Sequence, residues 1–286
     1  MASTEAITVQ RLQALTPQAL AQLQQLVVDS HWNQLPADWA LFYSLGAIYV
    51  VRDAEGVIVA SSAVLPMGSS LGGAAQVSWI SMVLVSPALR GHGLGRAVFA
   101  RCLAQVQSKD RVPMLDATPQ GEALYAQFGF EPTWRFTRWR RPQNTTAMSG
   151  LPADTSIHYL QQLDQQALGF DRHALLSGMA EREGARCVRH AEASALLRPG
   201  RTAVHIGPMH ATQEAEGAAL LQAIAAALPD ALVVDVPQGR SRMEATLNAT
   251  GFAPERPFAR MVRASGLKLA PTQTDIVQAV AGPEYA

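Results

Sequence analysis

The chain has 286 residues, and at about 150 residues per domain this length favours two domains or one large domain. Its 23 Lys and Arg residues balance 23 Asp and Glu residues, which excludes the positive surplus that a nucleic-acid-binding or polybasic membrane-surface protein needs. The hydrophobic fraction of 48% is sufficient for a full core, so disorder over most of the chain is also excluded.

Targeting and metal-binding signals are sparse. The N-terminal sequence MASTEAITVQ has no basic region followed by an apolar run, so we expect no signal peptide. No uninterrupted apolar stretch reaches about 18 residues, so we expect no transmembrane helix. Cys102 and Cys187 lie far apart without metal-ligand spacing. We therefore expect no disulfide, no metal site and a reducing, cytoplasmic location.

The predicted elements of the first half are helices followed by strands. Thr16 as N-cap and Pro17 at the first helical position predict the first helix, and a loop leads to a second short helix. Three strands follow, AIYVVRD, VIVASSAVLP and QVSWISMVLV. A long helix then has an apolar residue at every fourth position (Leu94, Val98, Cys102, Val106). The half ends with the strand VPMLDAT, the helix GEALYAQF and the strand region FEPTWRFTRWRR.

A polar stretch rich in turn-forming residues predicts a linker at 142–155. After the linker, the end of the first half has an echo in the second. The matching positions are Asp116 and Asp235, Gly129-Phe130 and Gly251-Phe252, Phe136 and Phe258, and Arg138 and Arg260. Internal duplication is the simplest explanation of this agreement. We therefore predict two related α/β domains, at 1–141 and 156–286.

One segment has the pattern of an anion-binding loop. A strand runs into the sequence RGHGLGR at 90–96, which opens the long helix. Glycines let the backbone approach a ligand, and the free N–H groups of the first helical turn, the helix dipole and two arginines attract phosphate. The Gly-Lys-Ser/Thr ending of a Walker A loop is absent, and the third glycine is one residue too early for a dinucleotide-binding loop.

This loop resembles that of the GNAT superfamily of acyl-CoA-dependent N-acetyltransferases. The superfamily motif is a strand, then R/Q-x-x-G-x-G/A, then a helix, and RGHGLG fits every position. LYAQFGF at 124–130 resembles the family's tyrosine before a Gly-Phe pair. The resemblance is strong over 7–141, and the second half resembles a degenerate partner domain of a two-domain bacterial subgroup. It implies an α/β fold of the α+β type, with two tandem GNAT-like domains, each a mixed, mostly antiparallel sheet flanked by helices.

The resemblance also implies roles in binding acetyl-CoA as co-substrate. Backbone groups of Val83, Leu84 and Val85, where the strand separates from its neighbour, would hold the pantetheine arm and polarise the thioester carbonyl. The pyrophosphate would bind at the loop formed by Arg90, Gly91, His92, Gly93, Leu94, Gly95 and Arg96. His92 stands at a variable position of the motif, and we assign it no catalytic role.

Tyr125 would be the general acid that protonates the departing thiolate, since a phenol is protonated at neutral pH. The alternative for Tyr125 is a rim aromatic beside the core. Asp116, near the end of its strand, is a candidate general base, with a helix cap or turn residue as the alternative. Glu122 is a candidate acceptor contact or a first-turn acid that complements the helix dipole.

The acceptor site is predicted after the first helix, where the resemblance places acceptor recognition. Trp32, Asp38 and Trp39 lie there, and aromatic rings with an acid suit a cationic amine. Core or interdomain packing is the alternative for both tryptophans. Ser81 could orient the acceptor from the neighbouring strand.

The second half lacks the features that would bind acyl-CoA. At the corresponding turn it has Gln213, Glu214 and Glu216, and two acids there would repel a pyrophosphate. Leu247 stands four residues before Gly251, where the first half has its tyrosine. We therefore predict that only the first domain binds acyl-CoA.

These observations predict an enzyme that moves acetyl from acetyl-CoA to a primary amine of a small polar molecule, by direct transfer in a ternary complex. By analogy, an aminoglycoside-type antibiotic is a candidate acceptor. The alternative is an acyl-CoA-binding sensor or interaction module without turnover. We expect a monomer or homodimer with no nucleic-acid or membrane partner.

Overall fold

The computed structural model describes residues 7–144, 150–264 and 266–286. Within these ranges the chain forms eight α-helices and twelve β-strands. The helices are α1 (Pro17–Asp29), α2 (Pro36–Leu45), α3 (Leu94–Gln107), α4 (Pro119–Ala126), α5 (Ile157–Leu168), α6 (His173–Ala180), α7 (Glu214–Ala227) and α8 (Ser241–Ala249). The strands are β1 (Gln10–Arg11), β2 (Ala47–Arg52), β3 (Ile58–Pro66), β4 (Val77–Val85), β5 (Val112–Ala117), β6 (Glu131–Arg141), β7 (Arg186–His190), β8 (Ala193–Arg198), β9 (Val204–His210), β10 (Leu232–Pro237), β11 (Ala253–Val262) and β12 (Val277–Ala279).

Threonine N-caps begin two of the helices, as expected from the sequence for the first of them. Thr16 accepts a hydrogen bond from the Ala19 amide at 3.2 Å, and Thr118 caps α4 in the same way. In α3, the apolar positions at 98, 102 and 106 are buried. The predicted linker at 142–155 falls partly outside the described residues, because 145–149 are not among them. Asn144 donates to the carbonyl of Pro229, and Asp154 pairs with Arg186 at 2.9 Å.

All twelve strands join in one sheet, in the order β1-β2-β3-β4-β5-β11-β6-β10-β9-β8-β7, with β12 paired to β9. Among the described strands only the pairs β4–β5 and β9–β10 are parallel. The last long strand of each half lies in the other half: β6 lies between β11 and β10, and β11 lies between β5 and β6. Each half therefore supplies a mixed, mostly antiparallel set of strands, and strand exchange fuses the two sets.

Side chains at the exchanged strands pair across the junction. Phe136 on β6 lies opposite Phe258 on β11, with stacked rings 5.1 Å apart. Arg138 donates two hydrogen bonds to Asp235 on β10, at 2.8 and 2.7 Å. In the matching arrangement, Arg260 on β11 donates two to Asp116 on β5, both at 2.9 Å. The repeat in the sequence therefore corresponds to a local twofold relation, in which each arginine reaches the aspartate of the other half.

The sheet opens between β4 and β5. The two strands pair only from Val77 to Trp79, after which β5 pairs with β11 instead. Met82 in β4 has φ +54°, and the pairing of β4 with β3 shifts register at this point. The side of β4 that faces the opening therefore has no strand partner beyond Trp79. In the second half, β9 and β10 separate in the same way, but β12 pairs with β9 there.

In the described ranges, no helix has both the length and the apolar character needed to cross a membrane. The described residues also contain no group of three or more His, Cys, Asp or Glu side chains arranged to hold a metal ion. Cys102 and Cys187 are free and buried.

Candidate active site

A cavity of about 880 Å³ lies at the opening between β4 and β5. It is within the size range of small-molecule and cofactor sites. Backbone of β4 from 80 to 85 forms one wall, and the start of α4 forms another. The loop after α1 and the segment that follows β12 complete the lining with Trp32 and Glu284. The cavity is therefore built by both halves of the chain.

The glycine-rich loop presents an uncapped helix N-terminus beside this cavity. Gly93 precedes α3 with φ +83° and no side chain caps the helix. The first-turn amides of α3, from Leu94 to Arg96, therefore have no intrahelical acceptor, and the helix dipole adds partial positive charge. A Cβ at Gly91, also at φ +83°, would meet no other atom within 4 Å. This arrangement suits an anionic group such as a pyrophosphate.

The basic side chains of the loop are exposed, and each contacts a nearby group of the chain. Arg90 lines the cavity and donates to the carbonyl of Val85 at 3.3 Å. Arg96 donates to Gln127 at 2.7 Å and lies over the ring of Phe128. The ring of His92 is exposed and contacts the carbonyl of Arg90 at 3.0 Å. The strand residues predicted to hold the pantetheine arm, Val83, Leu84 and Val85, all line the cavity.

Tyr125 lies on α4 and lines the same cavity. Its ring packs on Phe99 with centroids 4.6 Å apart. Among the described residues its hydroxyl makes no hydrogen bond. Burial raises the pKa of this phenol further above 10, so the hydroxyl keeps its proton at neutral pH and is free to donate it.

Asp116 reaches the cavity wall, but both of its oxygens accept hydrogen bonds from Arg260. Its side chain has no exposed area, and burial raises its pKa to about 6 although Arg260 lowers it. An aspartate held in this way joins the two halves, a role that neither alternative of the sequence analysis anticipated. Its predicted role as general base requires the Arg260 contact to loosen.

Two of the predicted acceptor residues are structural. The carboxylate of Asp38 accepts from Arg182 at 2.6 Å, from the hydroxyl of Tyr285 at 2.5 Å and from the Leu35 amide at 2.6 Å. Trp39 has no exposed area and belongs to the core. Neither residue lines the cavity. Trp39 therefore has the position that the packing alternative describes. Asp38 does not lie where it could contact a substrate in this cavity.

The other three predicted acceptor residues differ in position. Trp32 and Ser81 line the cavity, and the hydroxyl oxygen of Ser81 is buried without a hydrogen-bond partner. Glu122 lies outside the cavity lining and forms a salt bridge with Arg135 at 2.6 Å. Arg135 lowers the pKa of Glu122, so this carboxylate is a poor candidate for a base.

The loop after α1 is fixed to the second half by Asn33. Its side chain accepts from the amides of Thr202 and Ala203, at 2.8 and 3.1 Å, and donates to the Ala203 carbonyl at 3.0 Å. We expect Asn33→Ala to lower the free energy of unfolding by about 1–3 kcal/mol, because it leaves the buried amide and carbonyl of Ala203 unpaired. Urea unfolding measures this, with Asn248→Ala as the control, since exposed Asn248 makes one bond within α8. Equal effects of the two variants would contradict the role of Asn33.

Sequence reasoning missed the contribution of the last residues. The Trp79 indole donates to the carbonyl of Pro283 at 3.0 Å, and Tyr285 stacks on Phe42 with centroids 5.2 Å apart. These contacts hold Glu284 in the cavity wall. No motif in AGPEYA at 281–286 indicates such a position, because it depends on long-range packing.

The corresponding opening in the second half is arranged differently. Glu214 at the start of α7 accepts from the amides of Arg242 and Met243, at 2.6 and 3.0 Å. Glu216 adds a second acid to the same helical turn. The amide of Val280, just after β12, donates to the carbonyl of Asp235. A filled opening and an acidic helix start both support the prediction that this half does not bind acyl-CoA.

The comparisons with known proteins agree with this geometry. Two family models, each described as an acetyltransferase (GNAT) domain, match residues 10–133 and 160–274. No curated protein matches the chain significantly.

Solved structures similar to the chain are related at low identity. A candidate acetyltransferase from Pyrococcus horikoshii has a TM-score of 0.78 at 18% identity, covering 99% of this chain and 96% of that one. A tandem GNAT protein from the clavulanic acid biosynthesis pathway has a TM-score of 0.63 at 16% identity, covering 90% and 98%. A GCN5-related N-acetyltransferase from Anabaena variabilis has a TM-score of 0.56 at 15% identity, covering 89% and 72%. At these identities the likeness concerns the fold. The two family models together show that the chain belongs to the GNAT acetyltransferases, which transfer an acyl group from acyl-CoA, and that it carries two GNAT domains in tandem.

Proposed function

We propose that the first half of the chain transfers acetyl from acetyl-CoA to a primary amine of a small polar molecule, directly and within a ternary complex. One observation supports this most strongly. The unpaired side of β4 and Tyr125 line one cavity, and the uncapped N-terminus of α3 lies just beyond Arg90 at the edge of that cavity. Together these groups can hold a phosphate-bearing thioester and protonate its leaving group.

Each part has a distinct task. The first-turn amides of α3 bind the pyrophosphate, and backbone groups of Val83, Leu84 and Val85 hold the pantetheine arm. Tyr125 donates its proton to the sulfur as the thioester bond breaks. Cys102 takes no part, because burial raises the pKa of its thiol to about 12 and only a thiolate is a good nucleophile. This argues against a covalent acetyl-enzyme on Cys102.

The test is release of free CoA thiol from acetyl-CoA across a panel of primary amines, with polyamines, amino acids and an aminoglycoside included. Thiol release that depends on one class of amine, with an acetylated amine found by mass spectrometry, is the expected result. Acetyl-CoA binding without amine-dependent release from any of them would instead favour the sensor without turnover.

The glycine-rich loop provides a separate prediction. Gly93→Asp places a carboxylate at the N-terminus of α3, and we expect acetyl-CoA to bind about tenfold more weakly, because charge at a helix terminus changes an interaction by up to about 2 kcal/mol. Calorimetry with acetyl-CoA measures the Kd. The control is Gly56→Asp in the β2–β3 turn, which has φ +80° and open space around it. Unchanged binding in Gly93→Asp would contradict the assignment of this loop.

A further inference from the structure

Several unsatisfied polar atoms belong to residues that line the cavity. Four of its lining residues have a buried side-chain atom without a hydrogen-bond partner in the described chain: Gln34 Oε1, Ser81 Oγ, Arg256 Nε and Glu284 Oε2. Buried polar groups in folded proteins nearly always have a partner, so each exception needs an explanation. A polar ligand that satisfies several of them at once explains the cluster.

Glu284 is the negatively charged member of this cluster. Its side chain is 5% exposed, and no described cation lies within ion-pair distance of it. The charged groups that face it are Arg198 on β8, Arg138 on β6 and Asp38 on α2. Arg138 is already paired with Asp235, and Arg198 lies 3.8 Å from Asp38. Burial raises the pKa of Glu284 against the effect of both arginines, so its carboxylate is a stronger base than an exposed glutamate.

Arg256 is the positively charged member of the cluster. The guanidinium lies over the Phe258 ring, 5.0 Å from its centroid, and has no salt bridge in the described chain. Its cross-strand neighbour Arg138 has its own counter-ion. Burial, followed by the charge of Arg138, lowers the pKa of Arg256. A half-buried guanidinium beside a second one favours an incoming anion, which it can bind through two parallel hydrogen bonds.

We propose that the cavity binds the acceptor as a small zwitterion of the amino-acid class, with Glu284 receiving its ammonium group and Arg256 its carboxylate. The inference rests on the proposed function for the transfer step but not for the binding.

The transfer balances with the residues at hand. Glu284 takes one proton from the ammonium group, which frees the nitrogen lone pair to form the C–N bond. The C–S bond breaks, and its electron pair leaves with the sulfur. Tyr125 gives its proton to that sulfur. The nitrogen then loses a second proton, which restores the Tyr125 phenol, and the proton held by Glu284 passes to solvent, so the net products are the amide, CoA thiol and one proton.

The same charges disfavour a polycationic acceptor. Of the other acids that line the cavity, Asp116 is occupied by Arg260, and Asp29 accepts from Gln25 at 2.7 Å. Arg138 and Arg256 would repel a second ammonium group. An aminoglycoside has several such groups and no anion, so it suits this cavity less well.

The experiment compares each amino acid with its methyl ester, which lacks the anionic group, and with two polycationic amines. CoA thiol release is measured with the common L-amino acids, their methyl esters, spermidine and kanamycin. We expect kcat/KM for the preferred amino acid to exceed that of its ester by about tenfold to a hundredfold, as for loss of a charge-assisted bidentate contact. A ratio of one, or preference for spermidine or kanamycin, would overturn the proposal.

Variants assign the discrimination to residues. Arg256→Met should abolish the preference for the acid over the ester, and Arg256→Lys should restore part of it, while the Kd of acetyl-CoA stays unchanged. Glu284→Gln should lower kcat/KM for acid and ester alike. Arg242→Met on the exposed face of α8 and Glu183→Gln at an exposed position outside the cavity lining are the matched controls. A preference that survives in folded Arg256→Met and Arg256→Lys would overturn the role of Arg256.

Binding measurements separate this proposal from the proposed function. Calorimetry is done with the Tyr125→Phe variant, which suppresses turnover, in the presence of acetyl-CoA. Titration with the same amino acids should detect binding, and adding Arg256→Met to this variant should remove it. If such binding occurs but no amine supports thiol release in the native protein, the zwitterion site stands and the transferase function fails. If amines are acetylated but no amino acid binds, the transferase function stands and the zwitterion site fails.

Discussion

Replacing Arg260 with methionine should lower the free energy of unfolding by about 3–5 kcal/mol, the usual cost of removing one partner of a buried ion pair. Arg260 has a side chain only 2% exposed, and both oxygens of Asp116 depend on it. Without it, a carboxylate stays buried without its counter-charge at the junction of the two halves. Methionine fills much of the volume beside Trp79, so the loss reflects charge more than packing.

The loss should depend on pH in a definite direction. Burial already raises the pKa of Asp116 to about 6 in the presence of Arg260, and removing Arg260 raises the pKa further. A folded-state pKa above the unfolded value gives stability that is present at low pH and lost as pH rises through the folded pKa. Arg260→Met should therefore be less destabilised, relative to the native protein, at pH 5 than at pH 8.

Two variants control this result in urea unfolding. Asp116→Asn leaves Arg260 charged and removes the carboxyl that titrates near pH 6, so its loss relative to the native protein should not grow between pH 5 and pH 8. Glu255→Gln removes a surface salt bridge that joins β11 to β6, where such pairs contribute about 0–1 kcal/mol. A pH-independent loss in Arg260→Met would contradict the account of Asp116.

The sequence predicted the local elements and the tandem arrangement, because both depend on short-range signals. The glycine-rich loop is one of these, since its glycines at φ +83° and its helix start are set by neighbouring residues. The sequence did not predict the strand exchange. The repeat matched Arg138 with Arg260 and Asp116 with Asp235, but spacing does not say that each arginine crosses to the aspartate of the other half. Only the order of strands in the sheet determines that.

The proposed acceptor site was the hardest part to predict, because its residues come together from distant parts of the chain. Asp38 and Trp39 have the residue types of an amine site, yet the same types also stabilise an interface between halves, and packing decided their position. Glu284 and Arg256 have no motif around them. Their significance lies in missing partners, a property that exists only in the folded chain.

Replacing Tyr125 with phenylalanine should lower kcat by about a hundredfold to ten-thousandfold, the usual contribution of a positioned general acid. Phenylalanine keeps the ring contacts with Phe99 and Phe130, so the fold and the Kd of acetyl-CoA should not change. The hydroxyl has no other protein partner within the described residues, so its removal leaves no protein group unsatisfied. The change therefore affects only the step in which sulfur leaves with an electron pair.

The control is Tyr43→Phe, because exposed Tyr43 donates to the carbonyl of Gln13 at 2.8 Å and lies outside the cavity lining. It should leave kcat unchanged. An acyl donor whose thiol is more acidic than that of CoA provides a second measurement, since a better leaving group needs less help from an acid. The rate difference between native protein and Tyr125→Phe should shrink with such a thioester. A difference that stays constant would mean that the hydroxyl positions the substrate rather than donating a proton, and an unchanged kcat would remove Tyr125 from the mechanism.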